Sequence, residues 1–298
     1  MEADSARAIA VSTGSRAVVR RRPTWHAATH NSGILLGGTI VLITVVIAIL
    51  APVLAPADPY KTNPAGQLQP PGTPGHILGT DELGRDMASR LVYGARLSLG
   101  IGLVAALIAS SIGLALGTTT GFFGGWLDAT IMRGMDIMLA FPYILLAIVI
   151  VAVLGPGLVN TLLAVAVLGI PFYVRVVRAA VLSIREQDYV MAARLLGCSN
   201  GRIMRRTIVP NVVSPVITAF SLDVGWLILE AAALSFLGLG AQPPVAEWGA
   251  MLASSRQYFI LAPHVALLPG LCIFLLVLGC NLFGDGLRDA LDPRLRVR

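Results

Sequence analysis

Apolar residues are concentrated in six long runs that are separated by shorter polar segments. The runs cover residues 33–54, 97–120, 136–154, 159–177, 212–239 and 265–283. A helix needs about 20 predominantly apolar residues to cross the hydrocarbon core of a bilayer, and each run is close to that length or longer. The pattern therefore predicts an all-α integral membrane protein with about six transmembrane helices.

The polar segments divide the chain into parts. We predict an N-terminal tail over residues 1–32, a first transmembrane helix over 33–54, an outer loop over 55–96, a five-helix core over 97–287 and a C-terminal tail over 288–298. A charged loop at about 182–211 lies within the core. Segment 55–96 is rich in Pro, Gly and Asp and could not satisfy its backbone inside hydrocarbon, so we expect it outside the bilayer. Residues 240–262 are expected to form a second outer loop with a short helix.

Composition and charge favour the same class. Hydrophobic residues make up 56% of the 298 residues and charged residues only 13%, which is too apolar for a soluble domain of this size. Of the 22 lysines and arginines, 17 fall on the side of the N-terminus and five fall in the outer loops. This asymmetry predicts that both termini and the charged loop are cytoplasmic. The net charge of +6 is therefore expected to face the anionic inner leaflet of the lipid bilayer, and we expect no nucleic-acid partner.

Within the charged loop, residues 188–211 are typical of two short helices that meet at a corner. Gly197 follows a run of good helix formers, at the position where a helix commonly ends in a left-handed residue. Ser199 or Asn200 would then cap the second helix.

The second predicted helix is basic. It carries Arg202, Arg205 and Arg206 at a spacing that places the three guanidinium groups on one face. Pro210 marks the point where we expect the chain to turn into the next apolar run. Such a loop has two interpretations: a surface that docks another protein, or an ordinary basic loop that obeys the positive-inside rule.

Four residues of the charged loop fit a family pattern. Ala192, Ala193, Gly197 and Pro210 are in register with Glu-Ala-Ala, three residues, Gly, nine residues and Ile-x-Leu-Pro. Segment 188–211 therefore resembles the cytoplasmic coupling loop, or EAA loop, of ABC importer permeases.

The loop departs from this pattern at two positions, because Met191 stands in place of the Glu and Thr207 in place of the Ile. Its spelling from Tyr189, Tyr-Val-Met-Ala-Ala-Arg-Leu-Leu-Gly, resembles the dipeptide/oligopeptide/nickel branch, whose members commonly lack that Glu. Segments 76–90, 230–240 and 284–294 are also similar to that branch. The resemblance extends from about residue 35 to residue 294.

The resemblance implies the type I ABC importer permease fold and the role of a second, C-type permease subunit in a bacterial cytoplasmic membrane. It implies a heterodimer with a homologous permease, two cytoplasmic ATPases and an extracytoplasmic solute-binding protein. It also implies alternating-access transport of di- or oligopeptides, with nickel or another small solute as the alternative. The residues expected to couple to the ATPases are Tyr189, Met191, Ala192, Ala193, Arg194, Gly197, Arg202, Arg205, Arg206 and Pro210.

The chain lacks the sequence of a phosphate-binding loop. Such a loop needs Gly-x4-Gly-Lys-Ser/Thr, and the only lysine, Lys61, follows Tyr60 in the predicted outer loop. We therefore expect a non-catalytic subunit without a cofactor, with ATP and Mg²⁺ bound by separate ATPase chains. The three cysteines and four histidines have neither metal-type nor catalytic spacing, so we expect no metal and no catalytic residue.

Segment 76–90 of the outer loop holds a histidine, three carboxylates and arginines at short spacing. These residue types could form a metal or catalytic site. The favoured interpretation is turn chemistry, in which Asp81 and Asp86 accept hydrogen bonds from nearby backbone amides and pair with Arg85 or Arg90.

The second apolar run contains Gly113, Gly117 and Gly121 at four-residue spacing. This arrangement lets two membrane helices approach backbone to backbone, so it predicts a helix-packing face.

Asp223 and Glu230 lie within the fifth apolar run. They are seven residues apart, so on a helix they lie two turns apart along one face. An ionised Asp facing lipid costs about 2.5–3.5 kcal/mol on insertion scales, so we expect this face to point into the translocation path or the subunit interface. Alternatively, the carboxylates bond to backbone or hydroxyl groups of a neighbouring helix and lock the packing. A different class, an ion-coupled secondary transporter, would use them to bind a proton or a cation.

Overall fold

The computed structural model describes residues 32–291, and all regular structure in that range is helical. The helices are α1 (Ser32–Ile49), α2 (Ala51–Leu54), α3 (Met87–Phe123), α4 (Gly125–Ala140), α5 (Tyr143–Leu154), α6 (Leu158–Arg185), α7 (Asp188–Leu195), α8 (Asn200–Ile203), α9 (Val209–Phe236), α10 (Trp248–Ser255) and α11 (His264–Leu291). A π-helical turn covers Met204–Ile208, and short 3-10 turns cover Pro64–Gly66 and Arg256–Tyr258. The all-α prediction is confirmed. Nearly all of the predicted N-terminal tail and most of the C-terminal tail lie outside the described residues.

Five helices of the described range are long and apolar enough to cross a membrane: α1, α3, α6, the continuous helix 200–236 that contains α9, and α11. The pair α4 and α5 would make a sixth crossing, but these two helices meet at an angle of 96°. One straight helix over residues 136–154 is therefore wrong, and the third predicted span is a bent pair of helices. Pro142 lacks an N–H group and disfavours helical backbone at the residue before it, so Phe141 is extended (φ −90°, ψ 142°). Residues 125–135, which lie between two of the predicted apolar runs, belong to α4.

The second predicted span begins ten residues earlier than expected, because α3 starts at Met87 and not at residue 97. Asp86 caps this helix by accepting the N–H of Ser89 at 2.8 Å. Arg90, in the first turn, is buried and its Nε lies 3.2 Å from the Asp81 carboxylate. A helix can start inside a charged segment here because the charges of its first turn are capped or paired.

Asp81 organises the turn that leads into α3. Its carboxylate accepts the backbone N–H groups of Leu83 and Arg85, each at 2.9 Å, and the Arg85 Nε at 2.6 Å. Asp86 accepts its hydrogen bonds from Ser89 and contacts His76 Nδ1 at 2.9 Å. The turn interpretation of this segment is confirmed, except that Asp86 pairs with the histidine and not with an arginine.

The short helix expected in the second outer loop is α10, and it is fastened to α3. The buried Glu247 carboxylate accepts the N–H groups of Gly249 and Ala250 at the start of α10 and the Ser98 hydroxyl of α3 at 3.0 Å. The indole N–H of Trp248 donates to the Leu91 carbonyl at 2.9 Å. These bonds make α10 part of the helical core.

Helices α3 and α6 pack backbone to backbone along three glycines of α3. A Cβ at Gly117 would lie 2.7 Å from the Val177 Cβ, and one at Gly121 would lie 2.8 Å from the Val181 Cβ. Gly113 faces the Tyr173 Cβ in the same way. We call these three glycines and their three partners on α6 the glycine seam. The predicted packing face is confirmed.

Gly117→Ala should lower the free energy of unfolding by about 1–3 kcal/mol, because the added methyl group overlaps α6 in a closely packed interface. Gly100→Ala is the matched control, since Gly100 lies on the same helix with no atom within 4 Å of the position of an added Cβ. We expect the control to be neutral or stabilising by about 0.5–1 kcal/mol. Thermal unfolding of the purified proteins in detergent measures both, and equal Tm values for the two variants would contradict the assignment of the seam.

Candidate coupling surface and intramembrane carboxylates

The corner of the charged loop has the predicted left-handed glycine. Gly197 has φ +76°. Its N–H donates to the Arg194 carbonyl at 3.0 Å, and the Cys198 N–H donates to the Ala193 carbonyl at 3.1 Å. This pair of bonds is the Schellman motif that closes a helix C-terminus. Ser199 occupies the predicted cap position of the next helix, but its side chain makes no capping hydrogen bond.

Two apolar residues anchor the corner to the transmembrane core. Val190 of α7 and Ile203 of α8 are buried in a cluster with Phe122, Val177 and Val181. These two anchors were not predicted from the sequence. The sequence offered little signal for them, because other apolar residues of the same segment, such as Leu195 and Leu196, are exposed. The two short helices are therefore packed firmly against α3 and α6.

The other side of α7 is exposed and apolar. Leu195 and Leu196 are 88% and 84% exposed, and Tyr189 and Met191 are about half exposed. Large apolar side chains at the tip of a helix that no other residue of the range 32–291 covers are typical of a docking surface.

The remaining predicted residues of α7 lie around this tip. Ala192 is exposed beside it and Ala193 is half-buried. The Arg194 guanidinium carbon lies 5.4 Å from the centre of the Phe122 ring, a cation–π distance, so this arginine supports the corner from the side of the core.

The three predicted arginines line one cavity. Arg202, Arg205 and Arg206, together with Ser199 and Gly201, surround a volume of about 540 Å³. Among the residues that the structure describes, none of the three arginines forms an ion pair. The cavity is thus an open, positively charged recess beside the apolar tip of α7.

The expected turn at Pro210 is wrong. The π-helical turn Met204–Ile208 connects α8 to α9 without a break, and the Val209 N–H donates to the Met204 carbonyl. Pro210 stands in the first turn of α9, where a missing N–H group is tolerated. The basic recess consequently lies on the end of one helix, residues 200–236, that also carries Asp223 and Glu230.

Asp223 is 9% exposed and Glu230 is half-buried. One carboxylate oxygen of each is buried without a hydrogen-bond partner, and within residues 32–291 neither group has an ion pair. The contact nearest to the packing alternative is that of Asp223 with Tyr173 of α6, which lies beside it. The hydroxyls of Tyr143 and Tyr173 are also buried and unpartnered.

Comparison with known proteins identifies the family of the chain. Residues 113–297 match the model of the binding-protein-dependent transport system inner membrane component, and residues 22–71 match the N-terminal transmembrane domain of oligopeptide transport permease C. The chain belongs to the binding-protein-dependent transport permease family. Its predicted membership of the importer permeases is confirmed.

Relatives cover nearly the whole permease. The dipeptide transport system permease protein DppC of Alkalihalophilus pseudofirmus is 50% identical over 262 residues, 88% of this chain and 86% of that one. The di/tripeptide transport system permease protein DppC of Pseudomonas aeruginosa is 50% identical over 277 residues, 91% of each chain. The glutathione transport system permease protein GsiD of Pectobacterium atrosepticum is 44% identical over 275 residues, 92% of this permease and 91% of that one.

The similarity in fold extends to solved structures. A chain of the MetNI methionine ABC transporter in inward-facing conformations has a TM-score of 0.54 and 22% identity, and the match covers 68% of this permease and 96% of that chain. This likeness confirms the predicted importer permease fold.

Gly197→Val should loosen the corner by about 1–3 kcal/mol, because a β-branched residue strongly disfavours positive φ. Gly197→Asn is the matched control at the same position, since Asn tolerates the left-handed conformation. Hydrogen exchange of the α7 amides in lipid nanodiscs should be accelerated about tenfold by Val and much less by Asn. Equal protection of α7 in both variants would contradict the role of Gly197 at the corner.

Proposed function

We propose that the chain is one permease subunit of an ATP-driven importer that moves di- and oligopeptides across the bacterial cytoplasmic membrane by alternating access. The observation that carries the proposal is the coupling surface, defined as the exposed α7 tip with Leu195 and Leu196 together with the arginine recess beside it. An apolar tip flanked by positive charge fits a groove that is apolar inside and acidic at its rim.

The partner that supplies this groove is an ATPase. Transport against a gradient needs an energy source, and the sequence of this permease lacks the Gly-x4-Gly-Lys-Ser/Thr pattern that binds nucleotide phosphates. Two cytoplasmic ATPase chains therefore bind ATP and Mg²⁺, and this subunit is not catalytic. Its coupling residues are Tyr189, Met191, Ala192, Ala193, Arg194, Gly197, Arg202, Arg205, Arg206 and Pro210, to which the geometry adds Leu195 and Leu196.

The complete assembly contains a homologous second permease subunit, as a heterodimer, and an extracytoplasmic solute-binding protein. Both termini and the coupling surface are cytoplasmic, in accordance with the distribution of 17 basic residues on that side against five on the other. ATP-driven closure of the ATPases moves α7, and the buried anchors Val190 and Ile203 transmit that movement to α3, α6 and α9. Asp223 and Glu230 then face the translocation path or the interface with the second permease.

Peptides are favoured over nickel as the solute. The relatives are named for dipeptide, di/tripeptide and glutathione transport, and all of these solutes are peptides. A nickel site would need several nitrogen, sulfur or oxygen ligands held together. No group of three His, Cys, Asp or Glu residues converges within residues 32–291.

Arg205→Glu should reduce recovery of the ATPases with the tagged permease by about fivefold or more, because the charge reversal places a carboxylate in the basic recess. Arg133→Glu is the matched control, since Arg133 is an exposed arginine of α4 outside the coupling surface. The loss should shrink as salt screens the interaction. If Arg205→Glu retained the ATPases as well as the control does, the arginine recess would not be part of the docking surface.

Liposomes containing the complete transporter should import a labelled dipeptide such as alanyl-alanine only with ATP inside and the solute-binding protein outside.

Deletion of the gene should abolish growth on dipeptides as the sole amino-acid source. Nickel uptake measured in the same strain is the control for the alternative solute. Loss of nickel uptake with peptide uptake intact would reverse the assignment of the substrate.

A further inference from the structure

The region around Asp223 has an unusual concentration of unsatisfied polar atoms. Eight buried side-chain oxygen or nitrogen atoms of the described residues lack a hydrogen-bond partner, and four of them belong to Tyr143, Tyr173, Asp223 and Glu230. These four side chains come from α5, α6 and α9. Buried polar groups in membrane proteins are normally satisfied within the protein, so a cluster that is not satisfied indicates a missing partner.

Each of the two tyrosines lies near at least one of the carboxylates. Tyr143 lies within electrostatic reach of both carboxylates. Tyr173 lies beside Asp223 at a distance that allows a hydrogen bond, but the Tyr173 hydroxyl and Asp223 Oδ2 do not form one of good geometry. No arginine, lysine or histidine of the described chain contributes to the environment of Asp223 or Glu230. The missing partner is therefore expected to be a cation or a hydrogen-bond donor from outside the chain.

Asp223 opens onto a cavity of about 300 Å³. Three aromatic side chains, Tyr143, Phe172 and Trp226, line this cavity beside the carboxylate, and the other lining groups are aliphatic residues or glycine. Trp226 is 53% exposed and Phe172 is 44% exposed, so the cavity opens at the surface of the subunit. We call it the Asp223 cavity.

The residues that line the Asp223 cavity indicate which kind of cation it can bind. Divalent metal ions need several oxygen or nitrogen ligands, and the Asp223 cavity offers a single carboxylate and one phenol among apolar groups. Organic ammonium groups bind well to a carboxylate that is surrounded by aromatic faces, because the ring quadrupoles attract the cation. A free peptide carries such a group at its N-terminus.

We propose that the Asp223 cavity binds the α-ammonium group of a peptide during its passage, with Asp223 as counter-ion and Phe172 and Trp226 as cation–π partners. The inference rests on the proposed function and adds the group of the substrate that is recognised. Glu230 lies two turns further along the same face of α9, about 10 Å from Asp223 at 1.5 Å per residue. It supplies a second carboxylate for the same ammonium group during its passage. Tyr143 lines the cavity beside Asp223 and is also within electrostatic reach of Glu230.

The first test measures uptake of alanyl-alanine by the complete transporter in liposomes with saturating solute-binding protein. Asp223→Asn should lower the maximal rate about tenfold or more, because it removes the counter-ion and keeps the shape. Asp223→Glu, which keeps the charge, should recover most of the rate. Trp226→Leu should lower the rate about threefold to tenfold, while Trp226→Phe keeps an aromatic face. Asp289→Asn, which removes an exposed carboxylate of α11, is the matched control.

A second test reads binding without transport. A dipeptide with a photoreactive diazirine in its first side chain should label the segment that holds Phe172 or Trp226 in the wild-type assembly. Alanyl-alanine should compete for this labelling and N-acetyl-alanyl-alanine should not. Asp223→Asn should abolish the labelling. Equal competition by the acetylated peptide, or unchanged labelling of Asp223→Asn, would overturn the inference.

The outcomes separate this inference from the proposed function. No peptide uptake by the wild-type assembly overturns both. Normal wild-type uptake together with wild-type rates in Asp223→Asn overturns the Asp223 cavity alone. If Asp223→Asn instead loses the second permease in a pull-down, while the remaining complexes transport at the normal rate, Asp223 pairs with that subunit and the ammonium site is refuted.

Discussion

The close contact between α3 and α6 is the interaction on which the rest of the structure depends. Lipid tails are as apolar as the side chains of these helices, so burial of apolar surface does not hold them together, and close packing must do so. The glycine seam supplies that packing. Its partners on α6 also connect the two functional regions, because Tyr173 borders Asp223 and Val181 belongs to the cluster that holds Val190. The closely packed pair of helices therefore forms a continuous connection between α7 and the level of the Asp223 cavity.

Local chemistry made part of this arrangement predictable from the sequence. The long apolar runs predict the transmembrane helices because each must satisfy its own backbone. Gly197 was predictable because only Gly adopts positive φ without strain, and Gly113, Gly117 and Gly121 because their spacing exposes bare backbone. The arginines of the recess were predictable as one face, since helical spacing alone brings Arg202, Arg205 and Arg206 together.

The features that were not predictable depend on contacts between distant residues. The extension of α3 to Met87 needs Arg90 to be neutralised by Asp81 and bound by the Pro59 and Pro244 carbonyls, at 3.2 and 3.4 Å. The helix continues through Pro210 because a π-helical turn precedes it, and no sequence pattern predicted that turn. The bend at Pro142 was visible as a proline, but whether a proline bends or ends a transmembrane helix depends on what packs beside it. Val190 and Ile203 were recognisable as anchors only once α3 and α6 were in place.

The charged residues of the helices differ in whether they have a partner of opposite charge. Three arginines within or beside the membrane helices have partners: Arg85 binds Asp81, Arg175 binds Asp136, and Arg178 binds Asp128 through two hydrogen bonds of 2.6 and 2.7 Å. The arginines of the recess, which lies at the end of helix 200–236, have no ion pair among the described residues. Asp223 and Glu230, in the middle of α9, have none among the described residues. A charge that faces hydrocarbon is costly, and the paired arginines and aspartates reduce that cost by forming ion pairs. We therefore expect the unpaired carboxylates to face water, or a polar or charged group from outside the described part of the chain.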